Sequence, residues 1–158
     1  MPTTDPRELR ILLNIQAALW TLTEANGYGF TIRQGSVVLD AENIFNVPET
    51  RLPFIILEAT DADDRTFEPA LQLIDNFEWV MTCRVDAKGD DPNRRATLGH
   101  RLHADLERVL VLDIERGGLA ADTRLRKPQI FTSMSGDQSV IVVQRGLCHV
   151  HRTFGEPA

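Results

Sequence analysis

Two histidines late in the sequence, His149 and His151, are the residues whose type and spacing are best suited to chemistry. Imidazole nitrogens bind zinc and transfer protons near neutral pH. The apolar segment around them predicts a strand, on which residues two apart share a face. A zinc site takes three or four ligands, and the neighbouring Cys148 would point to the opposite face. The pattern therefore favours a half-exposed strand face or a subunit contact over a metal site.

A second histidine pair, His100 and His103, lies at i and i+3 on a predicted helix. Such spacing can supply half of a metal site, but there is no HExxH pattern and no acidic residue at the required offset. The serines Ser133, Ser135 and Ser139 have no GxSxG motif around them. The sequence predicts an exposed helix flank here, and neither a metal site nor a serine nucleophile.

Two groups of aspartates contain the ligand type that cations prefer. Asp61, Asp63 and Asp64 resemble a fragment of a calcium-binding loop, without the glycine and the distal glutamate at their fixed offsets. Asp90 and Asp91 stand in a polar loop, where such pairs are usually solvated surface charge. Glycine motifs for nucleotide binding are absent as well. The sequence therefore predicts no catalytic, cofactor-binding or metal-binding residue, and no enzyme.

The composition predicts a folded domain with an acidic surface. The chain has 158 residues, 42% hydrophobic and 25% charged, which suits one domain over 1–158 with an ordered core over 5–154. Its formal net charge of -6 disfavours binding to the phosphate backbone of nucleic acids. No signal peptide or apolar run of membrane-spanning length is visible, which predicts synthesis in the cytoplasm and no membrane contact. Cys83 and Cys148 lie in apolar stretches that predict buried thiols, and a disulfide between them stays open.

Two helices and several strands would position these residues. Asp5 and Pro6 predict the start of a first helix that ends by Gly27, and a second helix begins near Pro92. Alternation of apolar and polar residues predicts a strand over 77–86, the clearest in the sequence. Further strands are predicted at 30–34, 37–40, 54–60, 123–131 and 140–153. This order predicts an α+β fold, with a largely antiparallel sheet of about four to six strands and both helices on one face.

The first predicted helix is apolar over more than one side. Ile11, Ile15, Ala18 and Leu22 form a second apolar side next to the one that would pack on the sheet. Deep packing within the domain explains such a helix, and so does contact with a neighbouring subunit. This second side is therefore a candidate subunit interface.

A basic cluster opens the last predicted pair of strands. Arg124 and Arg126 would share one strand face, with Lys127 and Arg116 nearby. A nucleic-acid patch is one interpretation of this cluster. The acidic balance of the chain favours instead a contact between these arginines and acidic loops of a neighbouring subunit. Arg124 and Arg126 are thus further interface candidates.

Five segments resemble a known family in their order, spacing and hydrophobic pattern. They are the helix LRILLNIQAALWTL, the strand RLPFIILEAT, the strand FEWVMTCRVDAKGDDP, the helix RRATLGHRLHADLERVL and the closing SVIVVQRGLCHVHRTF. Together they span about Asp5 to Phe154 and resemble the tail terminator (tail completion) family of long-tailed bacteriophages. The resemblance contains no signature motif, so no functional residue is transferred by position.

The resemblance implies a structural protein of the virion that is made in the host cytoplasm. Members of this family form a ring, usually hexameric, that caps the tail tube and stops its polymerisation. The ring joins the tail to the head connector or head-closure protein, and DNA passes through its lumen without specific binding. An acidic lumen or interface would suit this role, and the candidate residues for it are Asp61, Asp63, Asp64, Asp90 and Asp91.

Three alternatives stay open. A head-closure or neck protein of the same virion would have similar size, acidity and lack of catalysis, although two clear helices favour the terminator. A small α+β hydrolase-like enzyme would use His149, His151 and an acid brought close by folding, and it would need a concave pocket. A nucleic-acid-binding module would use the basic strand and bind DNA in a salt-dependent way.

Overall fold

The computed structural model describes residues 6–39, 43–60, 65–68, 72–132 and 138–153, and only the backbone of 65–68, 72–75 and 151–153. The described chain forms two α-helices, α1 (Arg7–Trp20) and α2 (Arg94–Val111). Its strands are β1 (Val37–Val38), β2 (Phe54–Thr60), β3 (Arg65–Glu68), β4 (Gln72–Asp86), β5 (Asp122–Leu125), β6 (Gln129–Phe131) and β7 (Ser139–Thr153). Short 3-10 helices lie in the connections at Glu24–Asn26, Ile44–Asn46 and Glu49–Arg51.

The first helix is shorter than the sequence predicts. Its N-cap is Pro6, which makes no side-chain cap, and the predicted cap Asp5 lies outside the described residues. The helix ends at Trp20, where the Thr21 hydroxyl donates a hydrogen bond of 2.6 Å to a carbonyl of the last turn. Gly27, at φ 89°, instead ends the following 3-10 helix, because glycine adopts this left-handed conformation without steric cost.

All the described strands belong to one sheet, in the order β1-β2-β4-β7-β5, with β3 also paired to β4 and β6 to β7. The β1–β2 pair is parallel, and the other described pairs are antiparallel. Six of these strands have three residues or more, and β1 has two. The predicted α+β class and largely antiparallel sheet are confirmed.

Several strand predictions differ from the structure, and the strand predicted over 37–40 ends at Val38. β4 begins at residue 72 instead of 77, whereas β2 has the predicted bounds. The predicted strand over 123–131 is divided into β5 and β6, because Pro128 lacks the N–H that a ladder requires. The segment 30–34 buries Phe30 and Ile32 but does not join the sheet.

Both helices pack on the same face of the sheet, which we call the helix face. Side chains at alternate positions of β4 join apolar residues of α1 and α2 in one buried cluster. This cluster includes Ile11, Ile15, Leu19, Trp79, Met81, Cys83, Leu102, Leu106 and Val142. Complete burial of a large apolar side chain contributes about 1.5–3 kcal/mol, so this face supplies most of the apolar stabilisation.

Two glycines set the spacing on the helix face. A Cβ atom at Gly146 of β7 would lie 2.0 Å from Cζ2 of Trp79, and one at Gly99 of α2 would lie 2.6 Å from Cγ2 of Ile130. The missing side chains let the Trp79 indole contact the backbone of β7 and let α2 approach β6. A larger residue at either position would therefore displace a core contact.

Candidate functional site

The face of the sheet opposite the helices, which we call the open face, is covered over part of its area. The connection before β2 packs there and contributes Ile44 and Val47 to a small second apolar cluster. The sheet contributes Phe54, Ile56 and Ile141 to the same cluster. One end of the open face thus has its own small core.

A buried arginine ties this connection to the open face. Arg84 of β4 is 6% exposed and donates from Nη1 to the carbonyl oxygens of Ile44 at 3.2 Å and Val47 at 3.0 Å. Its Nε donates to Oγ of Ser139 at 2.9 Å. Buried polar groups are stable when they are paired in this way. Ser139, one of the serines considered above, is therefore a buried partner of Arg84.

The rest of the open face combines apolar and basic side chains on β7 and β5. Val143 and Leu147 are half-buried, and Arg145 is exposed between them. Arg124 of β5 pairs in register with Leu147 and lies on the same face. We call these four residues the basic sheet patch.

The structure brings Arg124 and Arg126 together on the open face, as their spacing predicts. Nε of Arg124 lies 3.3 Å from Oδ2 of Asp122, and Nε of Arg126 lies 3.6 Å from Oε1 of Glu78. The two arginine side chains remain 72% and 57% exposed, and exposed ion pairs of this kind contribute little stability. Both arginines thus have a carboxylate within the chain and stay accessible to another molecule.

Arg116, which the sequence groups with these basic residues, is instead fully buried. Its position after α2 lets the side chain turn inward, where Nη2 hydrogen-bonds the carbonyl oxygen of Leu110 in the last turn of the helix. Burial lowers the pKa of Arg116, while the charge of Asp113 acts in the opposite direction. Arg116 is therefore part of the interior, and its assignment to the basic surface cluster is wrong.

Folding places an acid beside one of the two candidate histidines. Nδ1 of His149 is hydrogen-bonded to Oδ1 of Asp122, and Arg124 approaches the other oxygen of that carboxylate. The hydrogen bond with His149 is the main cause that holds the pKa of Asp122 below its ordinary value, and Arg124 adds to it. Burial acts against both. The side chain of His151 lies outside the described residues.

The cysteines occupy the other face of the sheet. Cys148 and Cys83 are buried in the helix-face cluster, and both thiols are free, which confirms the predicted state. Burial raises the pKa of each thiol, so neither is a reactive thiolate at neutral pH. Across the part of the chain that is described, no three His, Cys, Asp or Glu side chains come together as a metal site needs.

The remaining polar candidates lie on exposed flanks. On α2, His100 is exposed, and Nε2 of His103 lies 3.4 Å from Oε2 of Glu107 one turn later. Asp90 and Asp91 are exposed between β4 and α2. They line a cleft of about 370 Å³ together with Arg95, Thr132 and Gln138. The candidates Asp61, Asp63, Asp64, Ser133 and Ser135 lie outside the described residues.

The predicted subunit interface on α1 is wrong for three of its four residues. Ile11, Ile15 and Leu22 are each 0% exposed within this chain, and Ala18 is half-buried. The physical reason is that α1 contacts β1 and β2 with one side and α2 with another, and these contacts cover the three residues from within the chain. These three residues are core residues.

Three of the six exposed large apolar side chains among the described residues lie together where α2 ends, and the other three, Leu13, Phe45 and Phe131, are scattered. Val111, Leu112 and Ile114 are 52%, 76% and 46% exposed. The sequence contains a signal for this surface, because the run VLVLDI has more apolar residues than one side of a helix can bury. This surface is not among the interface candidates that the sequence predicts.

Two accessible regions therefore stand out among the described residues, the basic sheet patch and the apolar end of α2. Neither α1 nor α2 is long and apolar enough to cross a lipid bilayer. The sequence matches no protein-family model, and a search of curated proteins finds no match either.

Proposed function

We propose that this protein is a structural component of a phage virion, a ring that caps the tail tube and stops its polymerisation. The ring joins the tail to the head connector or a head-closure protein, and DNA passes through its lumen without specific binding. Its partners are copies of itself, the tail tube protein and the protein at the base of the head. The resemblance of five segments between about Asp5 and Phe154 suggests this role.

The observation that carries the proposal is the partly uncovered open face. Val143 and Leu147 remain half-buried there, with Arg145 exposed between them. Protein interfaces combine apolar contact with arginine in this manner, and they bury what an isolated domain leaves accessible. A protein that works as one unit of an assembly needs such a surface.

The edges of the sheet are unsuited to extension by another strand. β1 has two residues, and β5 is followed by Lys127 and Pro128. Short strands, positive charges and proline at an edge oppose strand pairing between molecules. Association of subunits would therefore use faces and helix ends, which favours compact units of a ring over a continuous intermolecular sheet.

The charge of the chain suits a lumen through which DNA slides. Asp90 and Asp91 are exposed, and the formal net charge is -6. A surface of this sign does not release counterions from the DNA backbone and so does not bind it tightly. Asp90 and Asp91 remain the candidates for the lumen among the described residues.

A small α+β enzyme is the second candidate, and the pairing of His149 with Asp122 is the observation that favours it. A carboxylate that orients a histidine is a recurrent part of general-base sites. Two clefts among the described residues, of about 370 and 360 Å³, are lined by residues other than His149 and Asp122. An enzyme of this kind would lose turnover in His149→Gln and keep its oligomeric state.

Native mass tests the proposal most directly. Light scattering of the purified chain over a concentration series should reveal a discrete species of about six subunits, as a closed ring requires. Electron microscopy of that species should show a central hole. A strict monomer at every concentration would contradict a self-assembling ring. Hydrolysis by that monomer would then favour the enzyme, and salt-sensitive DNA binding would favour the nucleic-acid module.

A further inference from the structure

The end of α2 forms an exposed apolar projection, which we call the α2 knob and define as residues 111–115. Leu112 is 76% exposed, and Val111 and Ile114 are about half exposed. Single exposed apolar side chains are ordinary on a protein surface, but three within four positions form a patch of the kind that marks contact sites. The acidic residues Asp113 and Glu115 alternate with them.

The α2 knob is held in one conformation from beneath. Arg116 is 0% exposed at φ 49°, a left-handed conformation that costs energy in a residue with a side chain, and Gly117 and Gly118 continue it at φ 68° and 83°. The N–H of Gly117 donates to Oδ2 of Asp113 at 2.7 Å. The hydroxyl of Thr123 donates to the carbonyl oxygen of Ile114 at 2.7 Å.

The buried Arg116 lowers the stability of the folded protein. Its Nε and Nη1 have no hydrogen-bond partner within the described part of the chain, although Nη2 binds the carbonyl oxygen of Leu110. Burial of a charged group with unpaired donors lowers stability. A left-handed, buried arginine below exposed apolar side chains is consistent with a surface kept rigid for binding, because a preformed surface loses less entropy on contact.

The α2 knob and the basic sheet patch lie on opposite sides of the sheet. The knob follows α2 on the helix side, where a Cβ at Gly117 would lie 3.3 Å from Nδ2 of Asn14 in α1. The patch lies on the open face, around Arg145 and Leu147. The two surfaces of one molecule therefore cannot meet each other, and each is available to a different neighbour.

We propose that the α2 knob of one molecule docks on the basic sheet patch of a second copy. Leu112 and Ile114 would contact Val143 and Leu147, with Asp113 and Glu115 facing Arg124 and Arg145. The two surfaces are complementary, because an apolar centre with acidic residues meets an apolar centre with basic ones. Because the two surfaces differ and lie on opposite sides of the sheet, the contact is head-to-tail, and it gives a closed ring if the rotation between copies closes and a filament if it does not. Only closure of the ring rests on the proposed function.

Cysteine cross-linking tests the contact. The double variant Leu112→Cys/Leu147→Cys should form a disulfide-linked series of dimers, trimers and larger species under mild oxidation, since each molecule then carries both halves of the contact. The native thiols Cys83 and Cys148 are 1% and 0% exposed and do not compete. The matched control Leu112→Cys/Ala59→Cys places the second thiol at an exposed position of β2 away from the patch. A series no longer than that of the control would overturn the proposed contact.

Mixing two defective variants tests its direction. Leu112→Asp removes the knob and keeps the patch, whereas Leu147→Asp removes the patch and keeps the knob. Each alone should self-associate roughly thirtyfold more weakly or worse, as for loss of a central contact. A mixture should form one-to-one pairs and stop there, because one functional contact remains. No pairing in the mixture contradicts a head-to-tail contact.

The outcomes separate this contact from the proposed function. A discrete ring in the unmodified protein, without cross-linking between positions 112 and 147, would support the proposed ring and contradict the proposed contact. Efficient cross-linking together with open filaments of unlimited length would support the proposed contact and contradict the closed ring. Circular dichroism of each variant should match the unmodified protein, so that misfolding is distinguished from lost association.

Discussion

The two faces of the sheet use the same strands and reach different degrees of closure. On the helix face, α1 and α2 bury a continuous cluster in which Trp79 and Met81 are 0% exposed. On the open face, a short connection covers one end, and Val143 packs partly against that end. Leu147 remains half-buried beyond it. The comparison indicates that one face holds the fold together and the other is available for contact.

Two arginines of the open face differ in their burial. Arg84 is buried and donates hydrogen bonds to the carbonyls of Ile44 and Val47 and to the hydroxyl of Ser139. Arg145, on the neighbouring strand of the same face, is exposed. Arg84, which the connection covers, therefore stabilises the fold, whereas Arg145, which no described residue covers, is accessible to other molecules.

The largest expected effect comes from filling the closest approach on the helix face. Gly146→Ala should lower the free energy of unfolding by about 3 kcal/mol, because its Cβ would lie 2.0 Å from the Trp79 ring in a packed core. Urea unfolding measures the loss. The adjacent open-face variant Arg145→Ala is the control and should change stability by less than about 0.5 kcal/mol. Equal effects of the two substitutions would remove the contrast between the faces.

A smaller loss is expected at the covered end of the open face. Arg84→Met should lower the free energy of unfolding by about 2–3 kcal/mol, since it leaves the buried carbonyls of Ile44 and Val47 without their donor. Limited proteolysis should show faster cleavage within 43–52, where the connection loses its attachment. Arg145→Met, exposed on the same face, should alter neither measurement. Unchanged cleavage in Arg84→Met would show that the connection is held by its apolar contacts alone.

The smallest effect is expected at the exposed edge of the open face, and it depends on pH. The pKa of Asp122 is lowered in the folded state, chiefly by His149, so the pair stabilises the fold above the unfolded aspartate pKa of about 4. This contribution disappears as pH falls through the lower folded value. Solvent screening limits it to about 0.5 kcal/mol. Asp122→Asn should therefore be slightly less stable than the unmodified protein at pH 7, and the difference should shrink as the pH falls below about 4.

Asp90→Asn serves as the control for this experiment, because Asp90 lies exposed in the connection before α2. Its stability should follow that of the unmodified protein over the whole pH range. A constant difference between Asp122→Asn and the unmodified protein from pH 7 to pH 3 would mean that the ionised carboxylate is not the source of the effect.

Periodicity in the sequence was sufficient for most of the fold. Alternation along 77–86 predicted β4 and which of its side chains face the core, and the α+β class followed from the order of elements. Pro128 also carried the information that the strand over 123–131 is divided. These features are local, so a single sequence contains them.

The candidate surfaces depended on contacts between distant residues. The sequence shows that α1 is apolar on two sides, but whether a neighbour in the same chain covers the second side is decided by the packing of α2, about ninety positions later. Arg116 and Arg124 are both basic and close in sequence, yet the left-handed backbone of Arg116 turns its side chain inward. Likewise, Asp122 and His149 are brought together only by the β5–β7 pairing.

The central position of β7 affects how the chain folds during its synthesis on the ribosome. β7 follows the other described strands in the chain, yet it lies between β4 and β5 and pairs with β4 along all fifteen of its residues. Until β7 has been synthesised, β4 has an unpaired edge, and its apolar residues lack their contacts with β7. A chain with such an edge is prone to aggregation. The core therefore closes late, and folding of this chain should be slow for its size because its key contacts join distant segments.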